Sequence, residues 1–547
     1  MTRNAPRARR AVLWLACGLA LAGAMPAAAA DAEPSLPYAT TQRDTVIGLA
    51  RRLLADPTQW REVARFNGLR NPDRIATGMA LRIPLRLLRS ELASAHVEQV
   101  VGDVRAAGVP VKGGEALAEG AAVATGGDVS AVLRLADGSL LRLAAGSTLR
   151  IERARRYPAL GHVDSGVLLD AGRVEVQAAK AQAGKPGFEV KTPQGVLGVR
   201  GTEFRVSAQG GASSATSGEV LEGAVGFAGA SAARRLAAGF GTVIDAQRRV
   251  AEPTPLLPAP DLAALPTLQE RLVLRFPVVR TAATAGYRGQ VARDAQMREV
   301  VADNLAEGSE LRFTNLDDGA YFLRVRAIDA RGLEGRDATL AFKLKARPEP
   351  PLPAAPAPRG VTRGTQVELS WAENPEAQSY RLQVAADERF TRPLRDLPAL
   401  TGTTHTLEGI APGDYFWRLA SVRAGNDQGP WGSARAFTLR PPPATPAPPK
   451  VGETTLAFAW EGEPGQTFEF QLARDAKFSD LVLERKLDKP ELELARPAGG
   501  VYFMRIRARD ADGFQGPFTT PQRFEIINCV KTHDGSCVRS QAGPVRN

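Results

Sequence analysis

The sequence predicts a mainly β, multidomain protein, on three observations. At 547 residues the chain exceeds what one hydrophobic core can organise. With 53 glycines, 40 prolines and only 6% aromatics, it suits many short strands and turns better than a large helical body. Third, one period-two pattern is written three times in the C-terminal half, starting at Tyr287, Tyr380 and Phe468. The expected architecture is a small strand–helix–helix–strand unit, a long all-β unit, and three β-sandwich repeats.

The first element is a leader. Arg3, Arg7, Arg9 and Arg10 precede an apolar run at 11–24, and Ala28 and Ala30 form an A-x-A site. This predicts a signal peptide over 1–30 and export to the periplasm. The run is too short and wrongly flanked for a transmembrane helix, and Cys17 falls too early in it for a lipoprotein. No later stretch has the 18 apolar residues of a span, so no transmembrane segment is expected in the mature chain. The net charge is +11, of which the leader's four arginines leave +7. That mild bias favours a polyanionic envelope polymer and gives no reason to expect nucleic acid.

Residues 36–86 form the next unit. After Tyr38, Val46, Leu49, Ala50 and Leu53 recur at helical spacing behind the cap candidates Asp44 and Thr45. Asp56-Pro57 ends that helix and starts another through Trp60, Val63 and Ala64, stopped at Gly68. Asn71-Pro72-Asp73 is a turn, and 79–84 a closing strand. This order, with Trp60, Asn67, Ile75, Gly78, Leu81, Ile83 and Pro84 in place, resembles a lysin-motif (LysM) module. The resemblance implies binding of N-acetylglucosamine-containing glycan, above all peptidoglycan. Its groove would lie between Asp44, Thr45 and Val46 on one side and Leu69, Asn71, Pro72 and Ile75 on the other. The family usually has Gly before the Asp-Thr pair, where this chain has Arg43.

After a connector at 87–96, residues 95–247 read as successive short strands. Val132, Leu133 and Leu135 lead to an Asp137-Gly138 hairpin turn and return through Leu141 and Leu143. A turn is expected at Asp170-Ala171-Gly172. Arg150, Arg153, Arg155 and Arg156 read as a solvated edge strand. In 192–206, Leu197 and Val199 alternate on one parity and Phe204 and Val206 on the other, which predicts a β-bulge near Gly201-Thr202. This stretch, with Thr192, Pro193, Arg200, Gly201, Thr202 and Phe204, resembles the signature of the FecR domain family. The resemblance implies an extracytoplasmic all-β domain of sensing or envelope proteins, with those residues serving the fold.

Pro-rich runs at 248–268, 348–359 and 441–449 read as semi-rigid spacers between three blocks, 269–346, 360–440 and 450–527. In the late strand of each block, Tyr321, Tyr415 and Tyr502 open an inward-facing set. Phe276, Trp371 and Trp460 match one another on an earlier strand. The blocks resemble fibronectin type III or Ig-like sandwiches, in which such a tyrosine ties back to upstream backbone. Arg324, Arg326, Arg505 and Arg507 fall on the opposite parity and read as solvated. Trp431 reads as an exposed aromatic. In the tail, 528–547, Cys529 and Cys537 flank Asp534-Gly535 and predict a disulfide loop.

The four histidines are scattered, with no HExxH, G-x-S-x-G, Walker or G-x-G-x-x-G pattern. No metal, no cofactor and no catalytic activity are therefore expected. The reading is an exported cell-envelope binding or scaffold protein that docks on peptidoglycan and presents a FecR-type domain to a protein partner. The alternative is a FecR-like signalling regulator acting through a membrane partner, and, behind it, a peptidoglycan hydrolase.

Overall fold

The computed structural model describes residues 33–539 apart from 128, 181–186, 200, 211–213, 231, 443–444, 528 and 532–536. The leader expected at 1–30 and Arg200 lie outside the described residues. So do the cysteine side chains of the expected disulfide, although the strands Cys529–Lys531 and Cys537–Arg539 pair antiparallel. The protein is mainly β, with 50% strand and 6% helix. It divides into two compact units, Met1–Leu344 and Lys345–Asn547.

The first unit opens with strand Ser35–Ala39, antiparallel to Ala80–Pro84, and the helices Val46–Leu53 and Trp60–Phe66 between them. Thr45 caps the first helix by accepting the Gly48 N–H at 3.1 Å. Asp56 starts a 3-10 turn, Pro57–Gln59, that re-aims the chain before Trp60. Leu36, Leu49, Leu53, Leu81 and Ile83 form the core.

Strands from Glu91–Leu92 to Thr254–Pro255 then close into a barrel. The Asp137-Gly138 hairpin forms as expected, joining Ser130–Arg134 to Leu140–Leu143. The expected turn at 170–172 is instead a bend inside one strand, His162–Gln177. Its first part pairs with Thr148–Tyr157 and its last with Leu140–Leu143 and Glu203–Ala208. Gly172 makes the corner with φ 92°, and a Cβ there would stand 2.4 Å from the Ser147 Cα.

The parity change expected to mark a β-bulge near Gly201-Thr202 has another cause. Val196–Val199 and Glu203–Ala208 are separate strands on different walls of the barrel, the first pairing with Ala224–Ala228, the second with Thr216–Glu222. Parity changes because the chain crosses from wall to wall, so that Leu197, Phe204 and Val206 all face one core. The irregularity lies in the partner strand, where Glu203 opposes Glu222 but Phe204 opposes Val220.

The arginines of Thr148–Tyr157 do not line an edge, since this strand also pairs with Ala122–Thr125 and Glu91–Leu92. Arg153 is bound to Asp164 and Glu189 at 2.9 Å, and Arg155 to Glu119 at 2.8 Å. The Pro-rich run after the barrel is not a free spacer. Thr254–Pro255 pairs with the Phe240–Ile244 strand, the Arg336 N–H donates to the Leu257 carbonyl at 2.9 Å, and Leu262 and Leu265 are buried.

The first sandwich places Gly286–Ala292 between Val300–Ala306 and Gly319–Ile328. In the second unit, Ser379–Ala385 and Thr467–Ala473 occupy the matching place. The late-strand tyrosines tie back four residues, each donating to a carbonyl: Tyr321 to Asp317 at 2.8 Å, Tyr415 to Ala411 at 2.7 Å, Tyr502 to Ala498 at 2.8 Å. Trp371, Trp417 and Trp460 are core. A cross-strand pair also recurs: Arg324, Arg418 and Arg505 each donate Nε to Gln290, Gln383 and Gln471, at 3.2, 2.9 and 2.8 Å. Trp431 is half-buried rather than exposed, with the Arg418 guanidinium 4.5 Å from its ring centre. Arg505 and Arg507 likewise lie over the Phe518 ring, at 4.2 and 4.4 Å, and Arg507 is bound to Glu469 at 2.7 Å. The run 348–359 contributes strand Pro353–Ala355 to the second sandwich. Asp510 joins the second and third sandwiches, its two carboxylate oxygens both accepting from Nη2 of the buried Arg363, at 2.8 and 2.7 Å.

Candidate functional site

Two loops of the first module, 41–46 and 69–75, are closed on each other by the Val46 N–H, which donates to the Pro72 carbonyl at 3.1 Å. The expected groove residues are therefore neighbours in space, but most of their side chains serve the scaffold. Asp44 accepts from the Thr41 N–H at 2.7 Å, the Thr41 hydroxyl at 2.8 Å and the Tyr38 hydroxyl at 3.0 Å. These bonds, the backbone one foremost and Arg52 beyond them, hold its carboxyl below the ordinary aspartate value. Thr45 is spent on the helix cap, and Val46 is buried. Leu69 and Ile75 are half-buried against the core. Asn71 is exposed, its side-chain oxygen accepting the Asp73 N–H at 3.0 Å, and Pro72 is half-buried beside it. What this surface offers a ligand is mainly backbone, Asn71, and the exposed residues flanking it, Arg43 among them.

The signature residues of the barrel are structural in their surroundings. Thr192 accepts the Gly195 N–H at 3.1 Å and the Thr216 hydroxyl at 2.8 Å, in the barrel interior. Pro193 is exposed at the turn. Gly201 has φ 63°, Thr202 is buried, and Phe204 is fully enclosed.

Sequence reasoning missed a buried ionic joint between the barrel and the first sandwich. On the barrel, the cross-strand row Glu175–Arg205–Glu219 lies on the side of the wall away from the core. Facing it, the sandwich presents Arg288, Arg324 and Arg326 with Glu334 and Asp337. Arg324 grips Glu175 with both terminal nitrogens, at 2.8 and 3.1 Å. Arg326 reaches Glu175 at 2.6 Å and Glu334 at 2.8 Å. Arg205 reaches Asp337 at 2.5 Å and the Gly335 carbonyl at 2.9 Å. Arg324 and Arg326, read as solvated from their parity, are buried because a second domain covers that face.

Burial works against ionisation of Glu175, yet Arg324, Arg326 and Arg205 hold its carboxyl well below the usual range. Glu334 is lowered in the same way, by Arg173 and Arg326 against the cost of burial. Glu219 goes the other way. Burial, with Glu334 adding to it, raises its carboxyl despite Arg173. Val174-Glu175-Val176 and Phe204-Arg205-Val206 show only the alternation of any strand with one solvated face, so the sequence carried no signal that these charges are covered.

A family model described as FecR protein matches residues 121–226. No curated protein matches the chain. Among solved structures, two crystal structures of a candidate anti-sigma factor from Parabacteroides distasonis are similar at 20% identity and a TM-score of 0.21. Each match covers 24% of this chain and 59% of that one. The FN1–FN3 domains of chicken CNTN1 are similar at 13% identity and a TM-score of 0.20, over 47% of this chain and 95% of that one.

Proposed function

We propose that this chain is an exported cell-envelope scaffold, without catalytic activity, that docks on peptidoglycan through residues 36–86 and presents a FecR-type sensing or partner-binding domain. The observation that carries the reading is the closure of loops 41–46 and 69–75 by the Val46–Pro72 hydrogen bond. It leaves backbone, Asn71 and small apolar surface side by side, the materials from which a sugar site is made. Docking on a repeating polymer in the periplasm raises the local concentration of everything attached to the module. The barrel rides with the first sandwich because the ionic joint fixes one register between them.

Co-sedimentation of the mature protein with purified sacculi tests this. Wild type pelleting, with an Asn71→Asp variant that keeps an acceptor for the Asp73 N–H left in the supernatant, supports the groove. Wild type in the supernatant removes it. Cell-wall zymography checks the absence of hydrolysis, where a cleared band would overturn the non-enzyme reading.

The FecR match at 121–226 favours a second reading, a signalling regulator working through a membrane partner. Among the described residues no helix is long and apolar enough to cross a membrane, so this reading places the span on that partner. Membrane fractionation with protease accessibility separates the two.

A further inference from the structure

The first module is rich in arginine. Between Ser35 and Leu88 there are nine arginines, no lysine and four carboxylates, and all nine arginines are exposed. Two of the carboxylates are tied up locally: Asp44 in the Tyr38–Thr41–Arg52 cluster, and Asp56 on the backbone and hydroxyl of Thr58 at 2.9 and 2.7 Å. Arg86 is held by Glu62 and Glu33. Three of the remaining arginines, Arg43, Arg70 and Arg74, stand in the two loops that the Val46–Pro72 bond draws together, against one exposed carboxylate, Asp73.

Arg43 carries a second observation. Its backbone has φ 75°, a left-handed conformation that L side chains other than Asn and Asp adopt rarely. Glycine fits this position without strain, so an exposed arginine here spends stability on a side chain that packs against nothing in the core. Strain retained at a surface loop beside a groove points to a contact made outside the chain.

We infer that Arg43, Arg70 and Arg74 make this groove an acid-reading one: it takes a glycan together with a carboxylate carried on the same polymer, not an uncharged glycan alone. The inference rests on the wall-docking reading. In peptidoglycan that carboxylate comes from the stem peptides or, where these are removed, from the lactyl group of the sugar. The guanidinium fork suits either, since it meets a carboxylate with two parallel N–H donors.

The test uses the full mature chain in sedimentation with four polymers: intact sacculi, sacculi whose carboxylates are capped with ethanolamine, amidase-stripped glycan strands, and chitin. Intact sacculi are expected to bind at least about tenfold more tightly than capped sacculi or chitin. That preference should fall about tenfold between low and roughly 0.5 M salt, as charge contacts are screened. Binding to stripped strands extends the reading to the lactyl carboxylate that stripping frees, and its loss there confines it to the stem; both support the inference. Arg43→Gly should fold normally, lose most of the preference for intact sacculi and keep its binding to chitin, while Arg43→Lys, which keeps the charge without the fork, should retain only part of the preference. Arg70→Gln plus Arg74→Gln should lower it further. Equal binding to intact and capped sacculi with no salt effect overturns the inference and leaves wall docking standing. Loss of chitin binding in Arg43→Gly overturns the role given to Arg43. No pelleting with any polymer overturns wall docking, and this inference with it.

Discussion

Both terminal nitrogens of Arg324 hold the carboxylate of Glu175, at 2.8 and 3.1 Å, across the boundary between the barrel and the first sandwich. The two residues are 149 positions apart and each is largely shielded from water. A charge in such a place is costly to leave unpaired, more so than the pair is worth against an apolar isostere.

Removing one partner should therefore be severe. Glu175→Ala leaves Arg324 and Arg326 facing each other without their shared anion and should cost about 3–5 kcal/mol. Urea denaturation of the full chain, followed with limited proteolysis between barrel and sandwich, measures it. A loss near zero would show that the joint contributes nothing to holding the domains together.

Acid should loosen the same joint. Glu175, Glu334 and Asp337 are all lowered, so their contribution is present above the unfolded carboxyl values of 4.5 and 3.8 and is lost as pH falls through the folded values. Glu219 has the opposite sign: its raised carboxyl favours the folded state at low pH and disfavours it as pH rises. Denaturation midpoints should accordingly fall below about pH 4.5. Glu219→Gln, which keeps an acceptor for the Glu334 N–H now bound at 3.1 Å, should raise stability at pH 7. A midpoint unchanged between pH 7 and pH 3 would sink this account.

Arg43→Gly should stabilise the N-terminal module by about 1 kcal/mol, because glycine adopts φ 75° without a Cβ clash. Thermal melting of the mature protein reads the shift, and a destabilised variant would mean that the Arg43 side chain supports the loop.

Gly172→Ala should be strongly destabilising. The new methyl would stand 2.4 Å from the Ser147 Cα and 2.7 Å from the Gly146 carbonyl oxygen, both backbone atoms. The residue is also left-handed, so strain and overpacking add, and about 3 kcal/mol or more is expected. Soluble expression with a wild-type melting point would contradict the role of the bend.

The sequence by itself determined the local grammar. Period-two alternation identified Tyr321, Leu323 and Val325 as inward, and helical spacing found Val46, Leu49 and Leu53, because each reports which face of one element avoids water. It also narrowed the helix cap to Asp44 or Thr45 and found the Asp137-Gly138 hairpin and the tyrosine ties, which depend on residues close in the chain. The parity change at 197–204 was visible but ambiguous, since a bulge and a crossing between two walls write the same pattern. Only tertiary structure decided what covers an outward face. Arg324 and Arg326 look alike in sequence whether they meet water or Glu175. Burial of a polar side chain depends on a partner surface 149 residues away, and no periodicity within one strand encodes it.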